Sequence, residues 1–201
     1  MVKEIDFQII REYISRFVSF SESEWQPFLD ALVKRQVPKG GYLMEAGQIC
    51  DYVAFINKGL FRTFCMVKNQ EVTNNFSFSG NFLTNYPSFL TRQPSIEYHQ
   101  ALEDAEVLLL PYEKMQMIYN TLPSWEKFGR LIAEFILIRI SERNQSMLFL
   151  SAEDQYLELM KTRPKVIANI SQHYIASYLG IQPESLSRIR KRLSESKKPY
   201  G

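Results

Sequence analysis

The feature that most constrains the fold is a glycine turn between two helical patterns near the end of the chain. Ile175, Ala176 and Leu179 lie on one face of a first helix, and the small Ala176 permits close helix approach. Gly180 follows where a tight turn requires a positive φ, and Ile181 is expected to anchor the turn in the core. The pattern predicts two helices joined by a short turn, the arrangement of a helix-turn-helix.

The second helix of this pair has one apolar face and one basic face. Pro183 fits its first position, where the missing N–H leaves no hydrogen bond unmade. Leu186, Ile189 and Leu193 are expected to face inward. The outward residues, which we expect to contact DNA, are Glu184, Ser185, Ser187, Arg188, Arg190, Lys191 and Arg192.

The outward face has the chemistry that double-stranded DNA requires. Arg188 can form a bidentate pair with guanine, and Glu184, one turn earlier, can accept from cytosine and orient Arg188. The remaining serine and basic side chains suit phosphates, which supply affinity and register more than sequence choice. The alternative is an ordinary helical hairpin with a solvated basic face.

Charge is distributed unevenly along the chain. Residues 163–201 contain eight basic and two acidic side chains, whereas residues 1–162 contain 16 basic and 20 acidic ones. A basic end on a slightly acidic body indicates that only the end meets a polyanion, although a solvated basic tail would have the same composition.

Residues 36–111 carry short apolar or alternating runs separated by turn signals. Glycine-containing turns at residues 38–41, 57–59 and 79–81 divide these runs. Many short strands with regular turns predict an antiparallel sandwich or barrel.

The strand region is preceded by residues 1–35, whose apolar positions have helical spacing. Ser21 and Glu24 form a capping-box pattern for a second helix there. Pro27 favours a slightly later start, with Ser23 as the cap, because proline is best tolerated in the opening turns.

A long helical pattern begins at Pro123 and Ser124 and runs to about Leu150. Ile136 and Leu137 widen its apolar surface beyond what one domain face needs. The pattern predicts a dimerisation helix that pairs with a second copy of the chain, and burial within its own subunit is the alternative.

Several classes of protein are disfavoured by the sequence. The most apolar stretch, residues 131–138, contains Glu134 and is too short for the roughly 20 apolar residues of a membrane span. The N-terminus lacks a signal-peptide pattern, so we expect a cytoplasmic protein without membrane contact. Two cysteines fall short of the four thiolates of an iron–sulfur cluster. Because no catalytic grouping, phosphate loop or metal-ligand spacing stands out, we predict neither enzymatic activity nor a bound cofactor or metal.

These patterns together resemble the Crp/Fnr superfamily of bacterial regulators over nearly the whole chain. Residues 38–62 are similar to the opening strands of the family's cyclic-nucleotide-binding β-roll, and Gly80, Asn81 and Phe82 resemble the start of its ligand-binding cassette. The resemblance implies an α+β fold: an N-terminal antiparallel β-roll or jelly roll with flanking helices, a long dimerisation helix and a C-terminal winged helix-turn-helix. The corresponding domains are residues 1–122, 123–151 and 152–201, and the implied partners are DNA, a second copy and RNA polymerase.

Within the second helix of the pair, Glu184, Ser187 and Arg188 match the Glu-x-x-Ser-Arg pattern of the Fnr branch. The resemblance therefore implies DNA half-sites close to an Fnr-like TTGA core. The segment between Pro164 and Ile170 is short, which implies a reduced β-wing.

The resemblance fails at the cyclic-nucleotide cassette. The family's Gly-Glu and Arg-Ser pairs fall here on Thr84-Asn85 and Ser95-Ile96, which supply no guanidinium for a cyclic phosphate. We therefore expect no response to cyclic AMP. His99, in the strand after the cassette, is expected to be a core residue with satisfied ring nitrogens.

Polar and aromatic side chains around the cassette are candidates to hold another small effector, or they fill a vestigial pocket by self-packing. They are Asn75, Thr84, Asn85, Tyr86, Ser88, Arg92 and Ser141. The sequence favours a DNA-binding regulator, and the alternative is a small-molecule or cyclic-nucleotide-binding regulatory module that does not act on DNA.

Overall fold

The structure, a computed structural model, describes residues 5–196. Among these residues there are eight strands, β1 Val33–Val37, β2 Tyr42–Met44, β3 Tyr52–Lys58, β4 Leu60–Val67, β5 Gln70–Phe78, β6 Phe82–Leu83, β7 Glu97–Ala101 and β8 Ala105–Pro111. The helices are α1 Ile5–Ile14, α2 Glu22–Ala31, α3 Tyr86–Thr91, α4 Tyr112–Thr121, α5 Pro123–Phe149, α6 Ala152–Thr162, α7 Pro164–Asn169, α8 Gln172–Tyr178 and α9 Pro183–Ser196.

The strands form two four-stranded sheets, in the orders β1-β8-β3-β6 and β2-β7-β4-β5. The β1–β8, β3–β8 and β4–β7 pairs are all antiparallel. The apolar runs of the sequence supply the core between the sheets, where Ala54, Ile56, Phe61 and Val107 are fully buried. The predicted α+β fold with an antiparallel sandwich is confirmed.

The chain divides into two compact units. The first consists of Met1–Cys65 and Phe76–Leu137, and the second consists of Met66–Asn75 and Ile138–Gly201. The second unit is therefore built from two separate stretches of chain, one of which is the tip of the β4–β5 hairpin.

An aromatic cluster fixes the start of α5 in the first unit. Trp125 is buried, stacks on Phe28 at 4.1 Å between ring centroids and lies 5.3 Å from Trp25. Its indole N–H donates to the backbone carbonyl of Glu24 at 2.8 Å. Helix α2 begins at Glu22 with Ser21 as its cap, so the expected cap at Ser23 is wrong.

Strand β8 is tied to its neighbours through one carboxylate. Glu106 accepts from Gln36 and from Asn57, each at 2.8 Å, and pairs with Lys34 at 2.7 Å. Burial acts to raise the pKa of Glu106, but the hydrogen bonds from these three side chains outweigh it and hold the pKa below its usual range.

The hairpin tip in the second unit is bound to α8 through Ser177. The Ser177 hydroxyl accepts from the backbone N–H of Thr73 at 3.0 Å and donates to the carbonyl of Glu71 at 3.0 Å. Lys68 and Asn69, at the turn, both have positive φ, which matches the right-handed twist of a tight hairpin. One side chain therefore satisfies two backbone groups of the tip.

Helices and their short connections make up the rest of the second unit as far as residue 196. Residues 164–169 form α7, so no wing strand lies in the short segment for which a reduced wing was expected. Val166, Ala176 and Leu186 are fully buried and form the centre of this unit's packing. No helix within residues 5–196 is long and apolar enough to cross a membrane.

Candidate nucleic-acid interface

The turn between α8 and α9 has the geometry that its sequence predicts. Gly180 has a φ of 68°, in the left-handed region that favours glycine. The N–H of Ile181 donates to the carbonyl of Ala176 at 3.0 Å, which closes the end of α8. Helix α9 begins at Pro183, as expected. The two helices therefore form a helix-turn-helix.

Helix α9 buries one face and exposes the other. Leu186 is fully buried and Ile189 is 8% exposed. Six of the seven predicted DNA-contacting residues are exposed and Ser185 is half-buried. An open concavity beside the first turn of α8 is lined by Gln172, Ser187, Arg190, Lys191 and Ser194. The basic face is thus continuous with the start of α8.

Arg188 is oriented by a neighbour other than the predicted one. Its guanidinium donates to the hydroxyl of Ser185 at 3.1 Å, whereas Glu184 was expected to orient it. A serine hydroxyl leaves the full charge of the guanidinium in place. Both Arg188 and Glu184 are exposed, so their side chains remain accessible for base edges.

Arg192 is held by an acidic partner from α6. Its guanidinium makes a bidentate ion pair with Glu153, with Nε 3.3 Å from Oε1 and a second, shorter contact between Nη2 and Oε2. Sequence reasoning missed this pair because Glu153 lies 39 residues away. In this arrangement the positive charge of Arg192 is neutralised before any phosphate approaches.

The predicted effector residues of the cassette mostly bond to each other and to the backbone. Asn85 caps α3, accepting from the N–H of Ser88 at 2.8 Å, and its amide donates to Glu97 at 2.6 Å. Thr84 donates to a β3 carbonyl at 2.9 Å, and Ser88 accepts from the N–H of Cys50 at 2.9 Å. These groups therefore form an internal hydrogen-bond network.

Arg92 is also engaged within the first unit. It ion-pairs with Asp51, donates to the carbonyl of Cys50 at 3.1 Å and lies 4.2 Å from the ring centroid of Tyr112. Tyr86 is half-buried, and burial raises the pKa of its hydroxyl. Arg92 thus caps α3, with a φ of 58°, and holds the end of this helix against α4 and against Cys50 and Asp51, just before β3.

The other two predicted effector residues belong to the second unit. Asn75 accepts from Arg163 at 3.3 Å, and burial lowers the pKa of Arg163. Ser141 is exposed on α5. The structure therefore brings together five of the seven candidates within one unit and places these two in the other.

His99 differs from expectation. It is fully buried in β7, and neither ring nitrogen has a hydrogen-bond partner among the described residues. The carboxylate of Glu97 is 3.8 Å from Nε2, beyond hydrogen-bonding distance. His99 therefore lies in the core as expected, but its ring is not satisfied, because its strand neighbours Thr63 and Met44 lie beside it without bonding the ring.

Comparison with known proteins identifies the fold. Residues 34–121 match the family model of the cyclic nucleotide-binding domain. A protein of the Crp/Fnr family from Eubacterium rectale superposes with a TM-score of 0.68 at 15% identity, over 96% of this chain and 89% of that chain. The chain has the Crp/Fnr fold.

Two further Crp/Fnr-like structures support this assignment. The c-di-GMP-responsive global regulator CLP of Xanthomonas campestris has a TM-score of 0.67 at 16% identity, over 90% of this chain and 96% of that chain. The catabolite activator protein of Thermus thermophilus has a TM-score of 0.56 at 20% identity, over 96% of this chain and 88% of that chain. These neighbours are regulators rather than enzymes. No curated protein sequence matches the chain.

Proposed function

We propose that this protein is a sequence-specific DNA-binding transcription regulator that acts as a dimer in the cytoplasm. One observation carries the proposal: α9 follows a tight glycine turn, buries Leu186 and Ile189, and exposes Arg188, Arg190 and Lys191 together. A helix of this kind fits the major groove, where arginine reads guanine and the other cations contact phosphates. The Crp/Fnr fold supports the proposal.

The proposed dimer uses α5, within the expected dimerisation segment 123–151. Large apolar side chains lie exposed along the second half of this helix, among them Leu137 at 69%, Ile140 at 52% and Leu148 at 76%. Exposed apolar side chains in such number favour burial against a partner. A two-fold dimer would place two α9 helices on half-sites about one helical turn apart. Residues 1–122 and 152–201 would then be the sensor and DNA-binding parts, and RNA polymerase a further partner.

We propose that the cassette does not recognise cyclic AMP. Ser95 is buried and carries no charge, Ile96 is 75% exposed, and Arg92 is paired with Asp51. A cyclic phosphate would therefore meet a cassette in which the nearest guanidinium is already neutralised. Isothermal calorimetry with cyclic AMP, and with c-di-GMP as a second probe, tests this; a saturable micromolar dissociation constant for cyclic AMP would overturn it.

Fluorescence anisotropy tests the DNA-binding function directly. The purified protein is titrated into TTGA-palindrome and randomised duplexes without added ligand, as wild type, Arg188→Ala and the charge-matched control Lys114→Ala, whose exposed lysine lies in α4. Loss of the Arg188 pair is expected to cost about 1–3 kcal/mol on the preferred duplex and to relax sequence preference. Equal affinities of Arg188→Ala and Lys114→Ala would contradict the assignment of Arg188 as a base reader.

The second candidate is a small-molecule regulatory module that does not act on DNA. The match of residues 34–121 to the cyclic nucleotide-binding domain favours it. It leaves the basic face of α9 without a role. A folded dimer that binds no duplex, even after addition of cell extract to supply an effector, would favour this candidate over the DNA-binding regulator.

A further inference from the structure

Helix α5 carries a heptad pattern on one exposed face. Ala133, Leu137, Ile140, Asn144 and Met147 follow one another in alternating steps of four and three residues. All five are exposed, Leu137 at 69%, Ile140 at 52% and Met147 at 59%. Steps of four and three are the spacing of the seam between two helices of a coiled coil. We call these five residues the α5 seam.

A different face of the same helix packs within the second unit. Arg143 donates to the carbonyl of Tyr178 at 2.6 Å and lies 3.9 Å from its ring centroid. Ser146 is buried and donates to Glu158 at 3.0 Å. Because successive helical residues are about 100° apart, Ser146 lies on the side of the helix away from the α5 seam, and Arg143 flanks the seam with its side chain turned towards Tyr178.

One polar residue interrupts the α5 seam. The Asn144 side chain is exposed and makes no hydrogen bond among residues 5–196. It sits at an a position, between Ile140 and Met147 at d positions, where an apolar side chain would pack more favourably. An asparagine at such a position lowers the stability of a coiled coil but specifies its register and its number of strands.

The chemistry of the amide indicates its partner. A carboxamide carries both a donor and an acceptor, so it is complementary to an identical group. Two Asn144 side chains meet at one level only if the helices are parallel and in register. In an antiparallel or shifted pair each amide would face an apolar residue and lose its hydrogen bonds with water without replacement.

We propose that Asn144 pairs with Asn144 of a second copy and thereby fixes a parallel, in-register, two-stranded arrangement of α5. The inference rests on the proposed dimer and goes beyond it, because it names the residue that selects register. A slip of one heptad would separate the two amides by about 10 Å along the axis. In-register α5 helices would give the two chains equivalent positions along the seam, which a two-fold DNA site requires.

Dimer dissociation constants of three variants test the proposal, measured by sedimentation velocity over a dilution series at neutral pH. Asn144→Asp places two carboxylates face to face and is expected to weaken the dimer about tenfold or more. Gln145→Glu is the matched control, because it makes the same amide-to-acid change at the neighbouring exposed position outside the α5 seam. Its dissociation constant should stay within about twofold of wild type, as expected for an exposed charge.

Asn144→Val shows whether a weaker dimer could result merely from misfolding on substitution of Asn144. Valine suits an a position of a two-stranded coil, so this variant is expected to dimerise more tightly than wild type. If wild type is a dimer and Asn144→Asp and Gln145→Glu weaken it equally, the role of Asn144 is overturned but the proposed dimer is not. A folded wild-type monomer at all concentrations would instead overturn the dimer itself, and with it this inference.

Discussion

Replacing Lys191 by alanine should change the salt dependence of DNA binding by a calculable amount. On α9, Arg190 and Lys191 are exposed cations without an ion pair among the described residues, whereas Arg192 is paired with Glu153 and Arg188 is assigned to a base. Two phosphate contacts in each protomer give four in a dimer. Because each contact releases condensed counterions, log K should fall against log[salt] with a slope of about −3.6 from α9 alone.

This slope corresponds to an affinity that falls about 150-fold between about 50 and 200 mM salt. Lys191→Ala removes one contact from each protomer, so the slope should be about −1.8 and the same change in salt should weaken binding only about 12-fold. Fluorescence anisotropy on a fixed duplex across the salt series measures both slopes. Lys114→Ala, with the same loss of charge on α4, should retain the wild-type slope.

Glu153→Gln provides the opposite perturbation. It releases Arg192 from its ion pair and makes a third cation available in each protomer, so the slope should steepen to about −5.4. A Lys191→Ala slope equal to that of wild type would refute the phosphate role of Lys191. An unchanged slope in Glu153→Gln would refute the conclusion that Glu153 withholds Arg192 from DNA.

Three further predictions follow from individual contacts. Gly129→Ala should lower the free energy of unfolding by about 1–3 kcal/mol, although alanine is the better helix former, because the new Cβ would clash with the Tyr119 hydroxyl oxygen. Urea unfolding measures this loss, and a Tyr119→Ala background should remove it. Ser177→Ala leaves two backbone groups of the hairpin tip unpaired and should cost about 1–3 kcal/mol, with faster amide hydrogen exchange at Thr73 than in wild type. Since the folded-state pKa of Glu106 is lowered, its contribution to stability is present at neutral pH and lost as pH falls through the acid range. The melting temperature of Glu106→Gln should therefore fall less than that of wild type between pH 6 and pH 4. Parallel profiles of melting temperature against pH for the two proteins would contradict this.

The helix-turn-helix could be predicted from the sequence because its requirements are local. A left-handed turn restricts Gly180, the first helical position suits Pro183, and helical spacing identifies Leu186 and Ile189 as core residues. Each requirement acts within a few residues. The strands of the sandwich could be predicted for the same reason, since turn residues mark their ends.

Contacts between distant residues could not be predicted. The basic pattern of α9 is the same whether or not Glu153 holds Arg192, and Ser177 gives no sign that it meets a hairpin 104 residues earlier. Pro27 shows a related limit. The carboxylate of Glu24 accepts from the N–H of Ser21 at 2.8 Å, and this capping interaction determines where the helix starts. It outweighs the preference of proline for the opening turn.

The buried histidine was predicted with the wrong environment for a physical reason. Strand alternation indicates that His99 faces inward, but it says nothing about which atoms lie opposite its ring. Thr63 is its cross-strand neighbour on β4 and Met44 lies near it on β2, and neither side chain bonds the ring. Hydrogen-bond satisfaction depends on distances of a few tenths of an ångström, which a residue pattern does not carry.

The hairpin tip has a consequence for anyone who wishes to isolate the helix-turn-helix. Since Met66–Asn75 packs with the helices after Ile138, a recombinant fragment that starts at α6 would lack a structural part supplied from 80 or so residues upstream. Such a fragment would present Ser177 to water. The unit that contains the helix-turn-helix is contiguous in space but interrupted in the gene, and codon changes that impair it are expected at two separate places on a genetic map.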